Sequence, residues 1–251
     1  MTCVVIDVGN TSTAAARFRR GRVQGVERLD SAHLTAAGAT TRLGKLCEGD
    51  EVEGVALASG VREATQLWLQ AVESLRGEPP LVVSPRVRLG VKIRYPKPDT
   101  IGADRLANAC AAQRLFGSPV IVADFGTALT FDIIDAEPAY IGGAIAPGLP
   151  LMTDYLNERT ALLPHIELRG RSSRVGKSTA GAMRIGARVG YRGMVREIVG
   201  HVRREPGLEQ AGLCATGGYA RWALRGLDMP FKIEPNLTLK GLGWIFGLNR
   251  S

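Results

Sequence analysis

The chain has 251 residues, 45% hydrophobic and 22% charged, which describes a soluble globular protein long enough for two domains at roughly 100 to 200 residues each. Its formal net charge is +8, with 26 Arg and 6 Lys that are scattered apart from Arg17, Arg19, Arg20 and Arg22. Phe18 alone interleaves with that cluster, too few aromatics to stack successive bases, so nucleic-acid binding has little support, and steering of anionic substrates has at least as much.

Taken in chain order, the first predicted elements are strands over residues 3–8 and 13–18, paired around a Gly9-Asn10 turn. Asp7 interrupts the apolar run and no basic n-region precedes it, so the N-terminus does not read as a signal peptide. Residues 52–59 predict another strand, and residues 61–75 a helix with Leu67, Ala71 and Leu75 on one face. Residues 81–83 predict a short buried strand, and residues 94–100, with Pro96 and Pro98, predict no regular element. Gly102-Ala103-Asp104-Arg105 then opens a helix through Leu115, with Leu106, Ala109, Ala112 and Phe116 at core spacing. Gly117-Ser118-Pro119 marks the expected boundary between two domains, residues 1–117 and 118–251.

The second half repeats the theme. Strands are expected over residues 120–123 and 130–134 around a second loop, followed by the glycine-rich run 142–148. Helices are expected over residues 151–159 and 180–202, then a strand at Leu213-Cys214-Ala215-Thr216 ending in Gly217-Gly218, and a closing segment over residues 239–249. The uncharged stretch 138–153 is broken by Gly142, Gly143, Pro147, Gly148 and Pro150, so it cannot make the ~20-residue apolar helix of a membrane span. Cys3, Cys47, Cys110 and Cys214 lie far apart, and His33, His165 and His201 keep no ligand spacing with them, which argues against a zinc site or a disulfide framework. A reduced, cytoplasmic protein is the expectation.

The most informative stretch is Val4-Val5-Ile6-Asp7-Val8-Gly9-Asn10-Thr11, echoed at Val120-Ile121-Val122-Ala123-Asp124-Phe125-Gly126-Thr127. In both, a buried strand delivers an aspartate to a glycine turn bearing hydroxyls, so backbone N–H groups can face an anion at close range. Either motif alone reads as an ordinary turn, since Asp, Gly, Asn and Thr are common turn residues. As a pair they read as phosphate-holding loops of a nucleotide site. Asp7 and Asp124 would repel phosphate without a cation between them, which implies a hydrated metal or monovalent ion there.

Seven motifs in order resemble the type III pantothenate kinases: Asp7-Val8-Gly9-Asn10-Thr11, Gly102-Ala103-Asp104-Arg105, Asp124-Phe125-Gly126-Thr127-Ala128, Gly142-Gly143-Ala144-Ile145-Ala146-Pro147-Gly148, Thr160-Ala161-Leu162-Leu163-Pro164, Gly176-Lys177-Ser178-Thr179 and Thr216-Gly217-Gly218. The resemblance implies an α/β fold of two ribonuclease-H-like domains with mixed sheets flanked by helices, the actin and hexokinase superfold, clasping ATP. It implies phosphorylation of pantothenate to 4'-phosphopantothenate, the first step of coenzyme A biosynthesis. The loop Asp7, Val8, Gly9, Asn10, Thr11, Ser12 and Thr13 would take the nucleotide, with Thr127 and, near the adenosine, Gly217 and Gly218. Asp104 would be the general base. Tyr95, Gly102, Ala103, Asp104, Arg105 and Thr179 would form the pantothenate site. Asp124 would hold a monovalent cation, K+ or NH4+, and Asp7 would face Mg2+ through water.

Outside that resemblance, Asp104 reads as a helix-capping aspartate, Arg105 as a structural ion pair and Tyr95 as a packed aromatic. The chain departs from the family at Tyr95-Pro96-Lys97-Pro98, where Tyr-Asp-Asn-Pro is usual, and at Val61-Arg62, where Val-Pro is favoured. The altered segment at Pro96 and Lys97 sets a same-fold kinase of another small alcohol beside the pantothenate kinase, and the +8 charge sets a non-catalytic regulatory or nucleic-acid-binding relative there too. The segment from Arg171 to Ser178 resembles a Walker A loop, but Arg171 occupies the position of its first glycine. The helix expected over residues 180–202 spreads apolar side chains around its circumference, and the family is homodimeric with the acceptor pocket at the subunit boundary. A homodimer in which Thr179 reaches the partner's pantothenate is the expectation.

Overall fold

The apolar N-terminal run becomes β1 (Thr2–Val8), in the middle of a five-stranded sheet, with every residue buried except the half-buried Asp7. The structure is a computed structural model describing residues 1–49, 51–168 and 174–250. β1 pairs antiparallel with β2 (Ser12–Arg19), and β2 with β3 (Arg22–Asp30). After α1 (Ala36–Cys47) comes β4 (Val55–Ser59), parallel to β1 with Val4 opposite Val55 and Val8 opposite Ser59. Residues 53–54 already bond to β1, through Glu53 N–H to Thr2 O and Val4 N–H to Gly54 O, before the regular ladder begins at Val55. α2 (Arg62–Arg76) leads to β5 (Leu81–Val82), and the order is β3-β2-β1-β4-β5.

Alternation along β1 sends Val4, Ile6 and Val8 into a core shared with Leu43 and Leu46 of α1 and Ala64, Trp68, Ala71 and Val72 of α2. The buried stripe of α2 therefore differs from the expected Leu67, Ala71 and Leu75, and Leu75 is exposed. Trp68, fully buried, carries the largest apolar payload and sets the helix's rotation, leaving the leucines on its flanks.

A short β6 (Lys92–Ile93) and a single 3-10 turn, Pro98–Thr100, precede α3 (Ala103–Phe116). Seven consecutive residues of α3, from Leu106 to Ala112, are buried, so it is enclosed all round, not seated on one core stripe. Part of that cover is α8 (Leu237–Leu248), where a Cβ at Gly241 would strike the Ala107 backbone. Thr238 Oγ1 donates to Asn108 Oδ1 at 2.8 Å, satisfying a buried polar pair between the two helices. The first unit comprises Met1–Gly117, Pro138–Ile141 and Asn236–Ser251. The chain leaves it after Gly117, where the sequence punctuation lies, and comes back twice.

The second unit, Ser118–Glu137 and Gly142–Pro235, is built on β7 (Val120–Phe125) and β8 (Ala128–Ile134), antiparallel with Asp124 opposite Thr130. β9 (Ala139–Pro147) begins with residues of the first unit, where Ala139 and Tyr140 pair in parallel with Lys92 and Ile93. Then follow α4 (Leu149–Glu158), α5 (Thr179–Ile185), a π-helical turn at Gly186–Gly190, and α6 (Tyr191–Val202). β10 (Gly212–Thr216) lies parallel to β7, and after α7 (Ala220–Leu224), β11 (Phe231–Ile233) lies parallel to β10. The π turn interrupts the single helix expected over residues 180–202. Its wider winding shifts the helical phase, so that beyond it Tyr191, Val195, Val199 and Val202 fall on one buried stripe.

Candidate active site

In the first unit, the turn between β1 and β2 is closed by Gly9 N–H donating to Ser12 O at 3.1 Å. Asn10, Thr11 and Ser12 stand exposed at its tip, Gly9 and Asp7 are half-buried, and Val8 and Thr13 are buried in the sheet. The turn is braced from β3's end. The Ser31 hydroxyl donates to Gly9 O at 2.7 Å, lies 3.0 Å from the Thr13 hydroxyl, and Ser31 N–H donates to Thr11 O. Thr13 thus supports the loop from within, while the tip offers amide and hydroxyl donors to an anion. Ser31 carries no sequence motif and was invisible without the strand pairing.

A second cluster of the first unit gathers Tyr95, Gly102, Asp104 and Arg105. Gly102 is the N-cap of α3 and makes no side-chain cap bond, so Asp104 sits at the second helical position and is not the capping residue. Its carboxylate folds back over Gly102, where any Cβ would overlap Asp104 Oδ1. An acid in the first turn is held favourably by the helix dipole, and Asp104 remains exposed, open to a substrate proton. The Arg105 guanidinium lies 5.8 Å from the centroid of the Tyr140 ring, and Tyr95 meets the same ring edge-on at 6.1 Å. Tyr140, also missed from sequence, is the aromatic just before Ile141-Gly142-Gly143.

In the second unit the turn after β7 is closed by Gly126 N–H to Ala128 O at 3.1 Å, leaving Thr127 exposed. Thr216, opposite Asp124 on β10, carries the chain into Gly217, whose φ of 89° suits glycine, and a Cβ there would come within 2.6 Å of Asp124 Oδ1. Tyr219 N–H then donates to Phe125 O. Asp124, Thr127 and Gly217 are therefore brought to one end of the central strand pair, with Gly218 exposed beside them. Beneath them lies Tyr191, fully buried against Phe125 at 6.2 Å; burial pushes its phenol well up from the ordinary value, with the negative Asp124 adding to the effect. Behind Asp124 the buried Cys214 thiol is pushed up to about 12, first by burial and then by Glu234 and Asp124, so it stays protonated and inert.

Among the described residues no group of three or more His, Cys, Asp or Glu could hold a metal ion by itself. The donors at the two loops are carboxylate, hydroxyl and carbonyl oxygens, a set that suits hard cations whose remaining ligands come from water and phosphate. Thr179 stands exposed at the first position of α5, whose N-cap Ser178 accepts from Gly181 N–H at 3.1 Å. The Walker-like segment begins in residues outside the described ones, and its end, Lys177 and Ser178, belongs to this helix start.

The family model for type III pantothenate kinase matches residues 3–201. The chain belongs to the type III pantothenate kinase family. Among similar proteins, the type III pantothenate kinase of Methylacidiphilum infernorum is 39% identical over 245 residues, covering 95% of this chain and 86% of that one. That of Moorella thermoacetica is 37% identical over 252 residues, covering 98% and 99%. As a member of this family the chain is an enzyme, an ATP-using kinase. Among solved structures, a ROK family glucokinase from Streptomyces griseus in complex with glucose and AMPPNP superposes with a TM-score of 0.54 at 16% identity, over 96% of this chain and 98% of that one. That likeness carries the fold alone, the mixed α/β architecture of actin- and hexokinase-like kinases expected from the motifs.

Proposed function

We propose that this kinase transfers the γ-phosphoryl group of ATP to the primary hydroxyl of pantothenate, opening coenzyme A biosynthesis, with Asp104 as the general base. The observation that carries the assignment of Asp104 is its exposed carboxylate, folded over a side-chain-free Gly102 at the start of a buried helix and followed directly by Arg105. In phosphoryl transfer the protein chiefly positions groups and neutralises charge. Asp104 accepts the hydroxyl proton as the acceptor oxygen bonds to the γ-phosphorus and the bond to the bridging oxygen breaks, releasing ADP. Arg105 offers the fork geometry that fits the pantothenate carboxylate, and Tyr95, Gly102 and Ala103 complete its surroundings. The turn tips at Asn10–Ser12 and at Thr127 would face nucleotide phosphates with their polar groups, with Gly217 and Gly218 toward the adenosine.

Asp7 would hold Mg2+ and Asp124 a monovalent cation, K+ or NH4+, and these ions would supply the positive charge that lets two aspartates face phosphate. The all-oxygen donors of the two loops support that placement. A cytoplasmic location is consistent with four free thiols, and no helix among the described residues is long and apolar enough to cross a membrane. A homodimer is supported by α4 and the π turn, which pack together and leave Leu151, Tyr155, Leu156 and Val189 exposed; Thr179 would then reach the partner's acceptor pocket.

The test is a coupled ADP-release assay with pantothenate and a panel of other small alcohols. Pantothenate is expected to be the preferred acceptor, and Asp104→Asn to lower turnover by about 100- to 10,000-fold while folding normally. Turnover within a few-fold of the parent would remove Asp104 from the mechanism, and preference for another alcohol would replace pantothenate.

A further inference from the structure

Tyr140 carries no assigned role, yet it is the residue on which Arg105 and Tyr95 converge. Its own side chain is 1% exposed, so it cannot touch an acceptor, whereas Tyr95 is 36% exposed and Arg105 half-buried. The backbone around it is fixed in parallel register, with Lys92 N–H donating to Pro138 O and Arg94 N–H to Tyr140 O, both at 2.9 Å. That ladder sets where Tyr95, one residue further on, can stand. The two ring centroids lie 6.1 Å apart with planes 75° apart, a favourable T-shaped geometry. From α3 the Arg105 guanidinium comes to 5.8 Å from the Tyr140 centroid, within the range of a cation–π attraction.

We propose that Tyr140 is a positioning residue of the acceptor pocket, a buried aromatic platform that pre-orders Arg105 and Tyr95 for an acceptor bearing a carboxylate. Arginine is rich in rotamers, and a guanidinium already ordered against a ring binds a planar carboxylate without the full ordering cost. The ring face does this work, and the phenol hydroxyl is not needed for it. The inference rests on the reading that Arg105 and Tyr95 receive the acceptor.

The experiment replaces Tyr140 and reads steady-state constants for pantothenate and ATP separately, alongside thermal denaturation. Tyr140→Leu is expected to raise the pantothenate KM about 5- to 30-fold, the loss of a cation–π contact, with kcat and the ATP KM within about twofold. Tyr140→Phe keeps the ring and is expected to restore the parental KM. Because Leu risks misfolding, a same-sized series follows, in which phenylalanine at position 140 carries one, two and then three ring fluorines. Each fluorine draws electron density from the ring face, and the pantothenate KM should climb stepwise. A flat series, a folded Tyr140→Leu with unchanged KM, or a Phe variant as impaired as Leu would overturn the proposal. Arg105→Ala separates it from the underlying reading: if that variant leaves the pantothenate KM unmoved, the placement of the acceptor itself falls. If it raises the KM while the Tyr140 variants do not, only the platform falls.

Discussion

Gly102→Ala offers a way to move the proposed base without replacing it. The backbone at Gly102, φ −58° and ψ 140°, is open to any residue, so alanine brings no strain. Its methyl would overlap Asp104 Oδ1 by roughly an ångström, judged against ordinary contact distances, and the carboxylate must swing aside. The neighbouring contact, Arg105 Cγ at 3.7 Å, is an ordinary one and should hold. Glycine-to-alanine changes at compatible backbone commonly stabilise by about 0.4–1 kcal/mol through the unfolded chain, so the melting temperature should stay level or rise slightly. Displacement of a catalytic group by about 1 Å can cost on the order of 100-fold in rate. The expected outcome is thus a stable protein whose kcat falls by about two orders of magnitude with the pantothenate KM changed no more than a few-fold. Coupled ADP release and a thermal melt on one preparation measure both. A kcat within about threefold of the parent would refute the proposed geometry, and a marked loss of melting temperature would refute the claim that the backbone tolerates the methyl.

Three further outcomes are expected. Turnover should be slow in sodium or Tris salts and restored by potassium or ammonium, and Asp124→Ala should abolish that response; equal rates of the parent in all salts would count against the cation. Ser31→Ala removes the hydroxyl that braces Gly9 and Thr13, and at about 0.5–1.5 kcal/mol for a hydrogen bond it should raise the ATP KM about 2- to 13-fold and leave the pantothenate KM alone, as initial-rate kinetics will show. Light scattering should give a two-fold dimer, and mixing inactive Asp104→Asn with inactive Thr179→Ala subunits should recover activity; a fully active monomer would remove both the dimer and the shared site.

What the sequence made legible is the part of the molecule whose physics is local. A Val/Ile run ending in Asp and Gly folds into a strand and turn whatever surrounds it, and both loops could be read that way, as could the opening of α3 at Gly102. What it hid depends on partners far along the chain. The buried face of α2 departs from its leucine stripe because Trp68, fully buried, takes the core-facing position and leaves Leu75 exposed. The long helix over residues 180–202 looked apolar on too many sides because a π turn, which no residue pattern announced, resets its phase at Gly186–Gly190. The same distinction runs through the candidate site. Asp7, Asp104 and Asp124 each sit in a motif that anticipates a turn or a helix start, so their positions could be expected from the chain alone. Ser31 and Tyr140 act by reaching residues that only strand register brings near, Gly9 across the β2–β3 side of the first sheet and Tyr95 through the β6–β9 pair. The groups proposed to do chemistry were therefore visible, and those that hold them in place were not. Mutational effects at Ser31 and Tyr140 consequently test the fold's contribution to the site, where effects at Asp104 and Asp124 test only the motifs.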